Sequence, residues 1–162
     1  LASELSWRFR HYESFLLHNP VAAYLGTGVR LLQRRAETAA AAETVSQLAG
    51  LGPLYLFAMQ METDFSMRAY SDFPDNDAAI EQVVASFARH AGPKAQLMLK
   101  VHPLDPGLKR WRHRAMRIAA RHSVYGRVHL LDGALDADPP ILAARGVVTI
   151  NSTLAFLSLI HI

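Results

Sequence analysis

The chain has 162 residues, of which 51% are hydrophobic and 19% are charged, and its formal net charge is +3. This length suits one ordinary domain with a sizeable core, and the absence of cysteine excludes disulfide bonds and thiolate metal sites. No apolar run approaches the ~20 residues that a helix needs to span a bilayer.

Residues 1–52 are predicted to be mainly helical. Alanine is dense between residues 36 and 42, and Asn19-Pro20 is expected to divide the stretch into two helices. No convincing strand pattern and no internal repeat occurs in this part of the sequence.

From residue 53 onward, strand patterns and helix patterns alternate. The strand-length apolar runs are LYLFAMQ (54–60), AQLMLKVH (95–102), RVHLLD (127–132) and VVTI (147–150). Because strands that are buried on both faces of a sheet appear as unbroken apolar runs, these four segments predict a parallel sheet.

Helical patterns separate the predicted strands. Asp75, Asn76 or Asp77 is placed to cap the first helix, whose apolar residues recur at helical spacing from Ile80 onward. A second helix is predicted over residues 107–122, and DPPILAARG (138–146) is expected to be a short helix or loop. The predicted fold class is therefore α/β, a Rossmann-like parallel sheet with flanking helices.

Polar residues stand at the carboxyl end of every predicted strand. Parallel α/β sheets bind their ligands along this edge, so we expect these side chains to gather there. They are Gln60, Lys100, His102, Asp132, Asn151, Ser152 and Thr153.

Lys100 and His102 have a spacing that suits phosphate binding. At positions i and i+2 of an extended segment they lie on one side, and Pro103 ends the strand. Lysine supplies a point charge, and imidazole supplies a hydrogen-bond donor or an acid. The alternative is a strand end that simply reaches solvent.

Asn151, Ser152 and Thr153 follow the last predicted strand. A Ser or Thr in this place is first of all a helix N-cap. A helix N-terminus with two hydroxyls also binds anions, because free N–H groups and the helix dipole point at the ligand. The two interpretations are compatible.

Acidic residues follow the first predicted strand. Glu62 or Asp64 is a candidate base or nucleophile, and the alternative is a solvated loop that leads to a helix cap. The eight histidines show no metal-ligand spacing, so we predict no metal site. The sequence also lacks the glycine-rich dinucleotide motif, the P-loop and the nucleophile elbow, which argues against the enzyme classes that depend on them.

Positive charge is concentrated between residues 107 and 127, where seven lysines and arginines occur without an acid. Local positive charge favours anionic partners. Arg110, Arg114, Arg117 and Arg121 form a stripe on the predicted helix, which is either a solvated face or a contact with a membrane surface. No aromatic interleaving or nucleic-acid motif accompanies the stripe, so we expect no nucleic-acid partner.

Four segments together resemble the capsule polysaccharide biosynthesis proteins of Gram-negative bacteria. The most specific features are the Lys-x-His-Pro strand end, the later Asn-Ser-Thr, and Gln60-x-x-x-Asp64 upstream of both. The family transfers 3-deoxy-D-manno-octulosonic acid (Kdo) and has a glycosyltransferase-B fold of two Rossmann-like domains. The segments, within residues 53–157, are PLYLFAMQMETDFSM, SFARHAGPKAQLMLKVHPLD, GRVHLLDG and GVVTINSTLAF.

The resemblance implies a donor and a set of residue roles. The donor is a CMP-activated acidic sugar, CMP-Kdo, which is a substrate, and no cofactor is implied. By analogy with bacterial sialyltransferases of the same fold type, His102 contacts the CMP phosphate and assists its departure. Ser152 and Thr153 hold that phosphate, Lys100 adds charge, and Asp64 is the candidate nucleophile.

Further expectations follow from the same resemblance. Gln60 and Asn151 are supporting residues of the site. The acceptor is a glycolipid based on lysophosphatidylglycerol, and the enzyme works in the cytoplasm, peripheral to the inner membrane, where other capsule assembly proteins are possible partners.

The N-terminal Rossmann domain of full members finds no counterpart in the sequence, and LAFLSLIHI departs from the family pattern. We therefore expect residues 1–52 to be a helical linker or a remnant of the acceptor-side domain. Residues 53–162 are expected to form a donor-binding domain that is truncated at its C-terminus, and to be inactive alone. The alternatives are a glycosyltransferase-B enzyme that uses another nucleotide sugar, and a non-catalytic capsule assembly or export module.

Overall fold

The computed structural model describes residues 41–132 and 138–151, together with residues 21, 25 and 28. Within these residues one parallel sheet is flanked by helices on both faces, which confirms the predicted α/β class with a Rossmann-like sheet. The strands are β1 (Leu54–Ala58), β2 (Gln96–Lys100), β3 (Val128–Leu131) and β4 (Gly146–Thr149). The helices are α1 (described over residues 41–51), α2 (Phe65–Tyr70), α3 (Asn76–His90), α4 (Trp111–Arg121) and α5 (Asp138–Ala143), with a 3-10 turn at Tyr125–Arg127.

The strands lie in the order β3-β2-β1-β4. The chain steps from β1 to β2 to β3 in one direction, and β4 returns to the free side of β1. The register pairs Ala58 with both Lys100 and Thr149, so the carboxyl ends of three strands are level. The strand order reverses between β1 and β4, and this is the point at which such sheets bind ligands.

Both faces of the sheet are mostly buried along β1, β2 and β3, whereas β4 is only partly buried and its Val148 is exposed. On one face, α3 and α4 pack against alternate strand residues such as Phe57 and Leu99. On the other face, α1 and α5 pack against the intervening residues, including Leu56 and Met98. Since successive strand residues point to opposite faces, this double burial is the physical cause of the unbroken apolar runs at β1, β2 and β3.

The predicted start of the first helix in this region is confirmed. Asp75 has an extended backbone, and its Oδ1 accepts a hydrogen bond from the N–H of Ala78 at 2.9 Å. This bond satisfies one of the free N–H groups in the first turn of α3.

The predicted start of the next helix at residue 107 is wrong, because α4 begins at Trp111. Gly107 has φ 70°, which is not helical, and its N–H donates to Asp105 Oδ1 at 2.8 Å. The residues before Trp111 therefore form a turn. Leu108 is exposed in this turn.

The division of the chain at residue 52 stays a prediction. In its described part, the preceding segment packs Ala41, Val45 and Leu48 of α1 against the sheet. The predicted break at Asn19-Pro20 lies outside the described residues. Among the helices of the described parts, none combines the length and the apolar character that crossing a membrane requires.

Candidate functional site

The carboxyl edge of the sheet brings together most of the polar residues that the sequence placed at strand ends. Gln60, Lys100, His102, Asp132 and Asn151 all stand at or just beyond the ends of their strands. Ser152 and Thr153 lie outside the described residues. Their predicted convergence with His102 on one phosphate therefore stays a prediction.

Gln60 connects the loop after β1 with the loop after β4, although 91 residues separate it from Asn151. Its buried side chain accepts a hydrogen bond from the Asn151 N–H at 3.3 Å and donates one to Ser66 Oγ at 3.1 Å. Asn151 Nδ2 in turn donates to the Ser66 carbonyl at 2.7 Å. These bonds tie β1, α2 and β4 together at the reversal of strand order.

Asn76 is a residue of this network that sequence reasoning missed. It was treated only as a candidate helix cap, yet it is 1% exposed. Its Nδ2 donates to the Gln60 carbonyl at 2.7 Å, and its backbone N–H donates to Glu62 Oε1 at 3.1 Å. The local pattern gave no signal for this role, because the partners lie 16 and 14 residues away.

Lys100 and His102 occupy different environments at the end of β2. Lys100 is 5% exposed, so the alternative of a strand end that simply reaches solvent does not describe it. His102 is half-buried, and its Nδ1 accepts a hydrogen bond from the N–H of Leu104 at 3.1 Å. In the neutral ring the proton therefore lies on Nε2, which is the nitrogen left to donate to a ligand.

The surroundings of His102 favour its neutral form. Burial lowers its pKa, and the charge of Lys100 lowers it further, while Asp64 and Asp105 act in the opposite direction. A phosphate that bound beside the ring would add another negative charge, and it would raise this pKa.

The two candidate carboxylates after β1 differ in their contacts. Asp64 is exposed at the N-cap of α2, and its side chain makes no capping hydrogen bond. Glu62 is 11% exposed and forms an ion pair with Lys109 at 2.6 Å. Asp64 is thus the more accessible of the two to a ligand at this edge.

Comparison with known proteins supplies the family. The sequence profile of the capsule polysaccharide biosynthesis proteins matches residues 3–162. The chain belongs to this family. This confirms the resemblance seen in the sequence.

Curated relatives of this capsule family match about two thirds of the chain. The capsule polysaccharide export protein KpsS of Escherichia coli is 33% identical over 107 residues, which cover 66% of this chain and 27% of KpsS. The capsule polysaccharide modification protein LipB of Neisseria meningitidis serogroup A is 32% identical over 113 residues, or 68% of this chain and 26% of LipB. The matched part therefore spans about a quarter of each relative. No solved structure matches the chain.

The arginine stripe of this capsule-family chain is used partly for packing. Arg114 Nη1 lies 2.6 Å from Asp77 Oδ2, and Arg121 forms an ion pair with Glu81. Both acids lie on α3. Half of the predicted stripe therefore joins the two helices, while the side chains of Arg114 and Arg121 stay 41% and 51% exposed.

One cavity among the described residues lies outside this site. A cavity of about 360 Å³ separates α3 from β4 and is lined by Tyr55, Phe87, His90 and Val148 among others. None of the candidate site residues contributes to it. Within the described parts of the chain, no cluster of three or more His, Asp or Glu side chains is arranged to hold a metal ion.

Proposed function

We propose that this chain binds CMP-Kdo at the carboxyl edge of its sheet, and that the protein transfers Kdo to a (lyso)phosphatidylglycerol-linked acceptor in capsule assembly. One observation carries the proposal. Three groups occur together beside the reversal of strand order. They are the buried Lys100, His102 with its Nε2 free to donate, and the exposed Asp64, whose charge acts on His102. Membership of the capsule family supports the biological setting.

Lys100 and His102 bind the phosphate of the donor. The lysine ammonium contributes charge, and the Nε2–H of His102 donates a hydrogen bond to a phosphate oxygen. Ser152 and Thr153, which follow Asn151 in the sequence, hold the same phosphate. Gln60 and Asn151 support the end of β4 through the hydrogen bond between them.

Asp64 is the nucleophile of the proposed reaction. A carboxylate oxygen of Asp64 forms a bond to the anomeric carbon of Kdo while the bond from that carbon to the phosphate oxygen breaks. The electron pair leaves with CMP, and His102 stabilises the departing phosphate. An acceptor hydroxyl then attacks the same carbon, releases the Asp64 carboxylate and gives its proton to a phosphate oxygen of the bound CMP, so that two inversions produce net retention.

In the proposed enzyme, a second domain or partner supplies the rest of the active site. Phe65 and Tyr70 of α2 are both exposed, with their rings edge to face at 5.8 Å. Exposed aromatic rings beside a binding edge are typical of a surface that another domain or partner covers. The acceptor glycolipid binds to that second part, and the chain alone has no transferase activity. The protein works in the cytoplasm, peripheral to the inner membrane, next to other capsule assembly proteins.

The donor is tested by thermal unfolding of this chain with nucleotides. We expect CMP to raise the melting temperature and UDP to leave it unchanged, because a ligand that binds only the folded state stabilises it by about 2.7 kcal/mol at 100 times its Kd. Protection by UDP and not by CMP would favour a glycosyltransferase that uses another nucleotide sugar. No protection by either nucleotide would favour the non-catalytic assembly or export module.

The nucleophile is tested by comparing binding with transfer. CMP lacks the sugar carbon that Asp64 attacks, so we expect Asp64→Asn to keep the affinity of the chain for CMP. In the intact protein the same substitution should lower Kdo transfer by several orders of magnitude. Near-normal transfer by Asp64→Ala would show that the nucleophile is another residue.

A further inference from the structure

Glu62 and Lys109 form a connection that the proposed reaction does not use. Lys109 Nζ lies 2.7 Å from Glu62 Oε1 and 2.6 Å from Oε2, although 47 residues separate the two. Glu62 belongs to the loop after β1, and Lys109 belongs to the loop after β2. Their side chains are 11% and 22% exposed, so solvent screens this pair less than an ion pair on the open surface.

Each end of the ion pair is also held by other contacts. Glu62 Oε1 accepts the backbone N–H of Asn76 at 3.1 Å. Lys109 Nζ lies 3.8 Å from Asp77 Oδ2 and 5.2 Å from the centre of the Trp111 ring. Because both partners are fixed from several directions, the pair joins two defined positions rather than two mobile side chains.

The two groups proposed to react lie close to the ends of this connection. The loop with Glu62 turns directly into Asp64, whose N–H donates to the Met61 carbonyl at 3.0 Å. On the other side, the His102 carbonyl accepts the N–H of Asp105 at 2.9 Å. Asp105 Oδ2 in turn accepts from Trp111 Nε1 at 3.1 Å.

The two loops also leave little space between them. The cavity where they meet measures about 20 Å³ and is lined by residues of both loops, among them Glu62, Asp105 and Lys109. A space of this size accommodates about one water molecule. The two loops therefore face each other across a small space beside the ion pair.

We propose that the Glu62–Lys109 ion pair sets the position of Asp64 relative to His102, so that Glu62 is a positioning residue and not the reacting carboxylate. The proposal rests on the function proposed above for Asp64 and His102. Its physical basis is that a displacement of 1 Å at reacting groups lowers a rate by as much as ~100-fold.

The first test needs no enzymatic activity and uses this chain. The charged groups that act on the His102 pKa are Lys100, which lowers it, and Asp64 and Asp105, which raise it. In an NMR titration, Asp64→Asn should therefore lower the His102 pKa. We expect this decrease to shrink by at least half in a Glu62→Ala or Lys109→Ala background, because Asp64 and His102 are then no longer held together.

Glu81→Ala is the matched control for this titration. It removes an ion pair with Arg121 and a hydrogen bond with His122 at the α3–α4 interface, away from the carboxyl edge. In this background Asp64→Asn should lower the His102 pKa as much as in the wild type. An undiminished effect of Asp64→Asn in both the Glu62→Ala and the Lys109→Ala backgrounds would overturn the proposal. A wild-type chain that fails to bind CMP would refute the proposed donor and leave this titration interpretable.

The second test measures Kdo transfer by the intact protein. Glu62→Ala and Lys109→Ala should each lower kcat by about 10- to 100-fold, with KM for CMP-Kdo changed by less than about threefold. The double variant should be no slower than the slower single variant, because both substitutions break the same link. Glu62→Gln keeps an oxygen that accepts from Asn76 and Lys109, so it should retain more activity than Glu62→Ala, while Glu81→Ala should keep wild-type kcat.

Two results of the transfer assay would overturn the proposal. If Glu62→Ala abolishes transfer while Lys109→Ala is as active as the wild type, Glu62 itself reacts. If the effects of Glu62→Ala and Lys109→Ala simply multiply in the double variant, the two residues act separately.

Discussion

Asn76→Ala is expected to destabilise the fold by removing the donor that holds the Gln60 carbonyl. The Nδ2–O distance is 2.7 Å and the bond is buried, so water does not replace the lost donor. The substitution shortens one side chain at the start of α3 and leaves the Asp75 cap intact. Its effect therefore reports on the connection between α3 and the loop after β1.

The size of the effect follows from the burial of the abandoned carbonyl. A buried acceptor without its partner costs about 1–3 kcal/mol, which for a domain of this size lowers the melting temperature by roughly 2–12 °C. Asn76→Asp should cost more at pH 7, because a buried carboxylate both lacks the donor and carries a charge. The loss of stability in Asn76→Asp relative to the wild type should shrink as the pH falls, since a protonated carboxyl again donates a hydrogen bond.

Urea unfolding, followed by circular dichroism, measures both variants against the wild type. Asp75→Ala is the control, because it removes the bond to the Ala78 N–H, at a cost of about 0.5–2 kcal/mol, without touching Gln60. CMP binding should weaken more in Asn76→Ala than in Asp75→Ala, since only the former releases Gln60. An Asn76→Ala variant within about 0.5 kcal/mol of the wild type would refute the reasoning.

Three further predictions concern other parts of the structure. Gly52→Ala should destabilise the fold by about 1–3 kcal/mol in urea unfolding, because the added Cβ would clash with the Lys94 carbonyl oxygen. Gly50→Ala is the control, since its added Cβ would meet no atom within 4 Å, and it should be neutral or stabilising. Burial holds the His102 pKa below its usual value, so the unfolded chain binds more protons than the folded chain as the pH falls through about 6.5, and the folded state loses stability there. His102→Asn should therefore lose less stability than the wild type between pH 7.5 and pH 5.5 in urea unfolding. An identical loss of stability would contradict burial of His102 as the cause. Lys100→Met should weaken CMP binding by about 1–3 kcal/mol in calorimetry, and wild-type affinity would remove Lys100 from the phosphate site.

The features determined by the sequence alone are those with a local physical cause. The strands β1, β2 and β3 appear as apolar runs because both of their faces are mostly buried, and α3 appears through its helical spacing and the Asp75 cap. The strand ends were also predictable, because polar residues follow each apolar run. Lys100 and His102 are therefore predictable as site candidates from the sequence alone.

Only the tertiary structure decided which distant residues meet. The order β3-β2-β1-β4 brings Asn151 to Gln60 across 91 residues. The packing of α3 against α4 pairs Arg114 with Asp77 and Arg121 with Glu81. Glu62 and Asp64 look equivalent in the sequence, and they differ because Lys109 approaches one of them. Such pairings depend on how crossover helices return the chain to the sheet, and a periodic pattern within one segment carries no information about them.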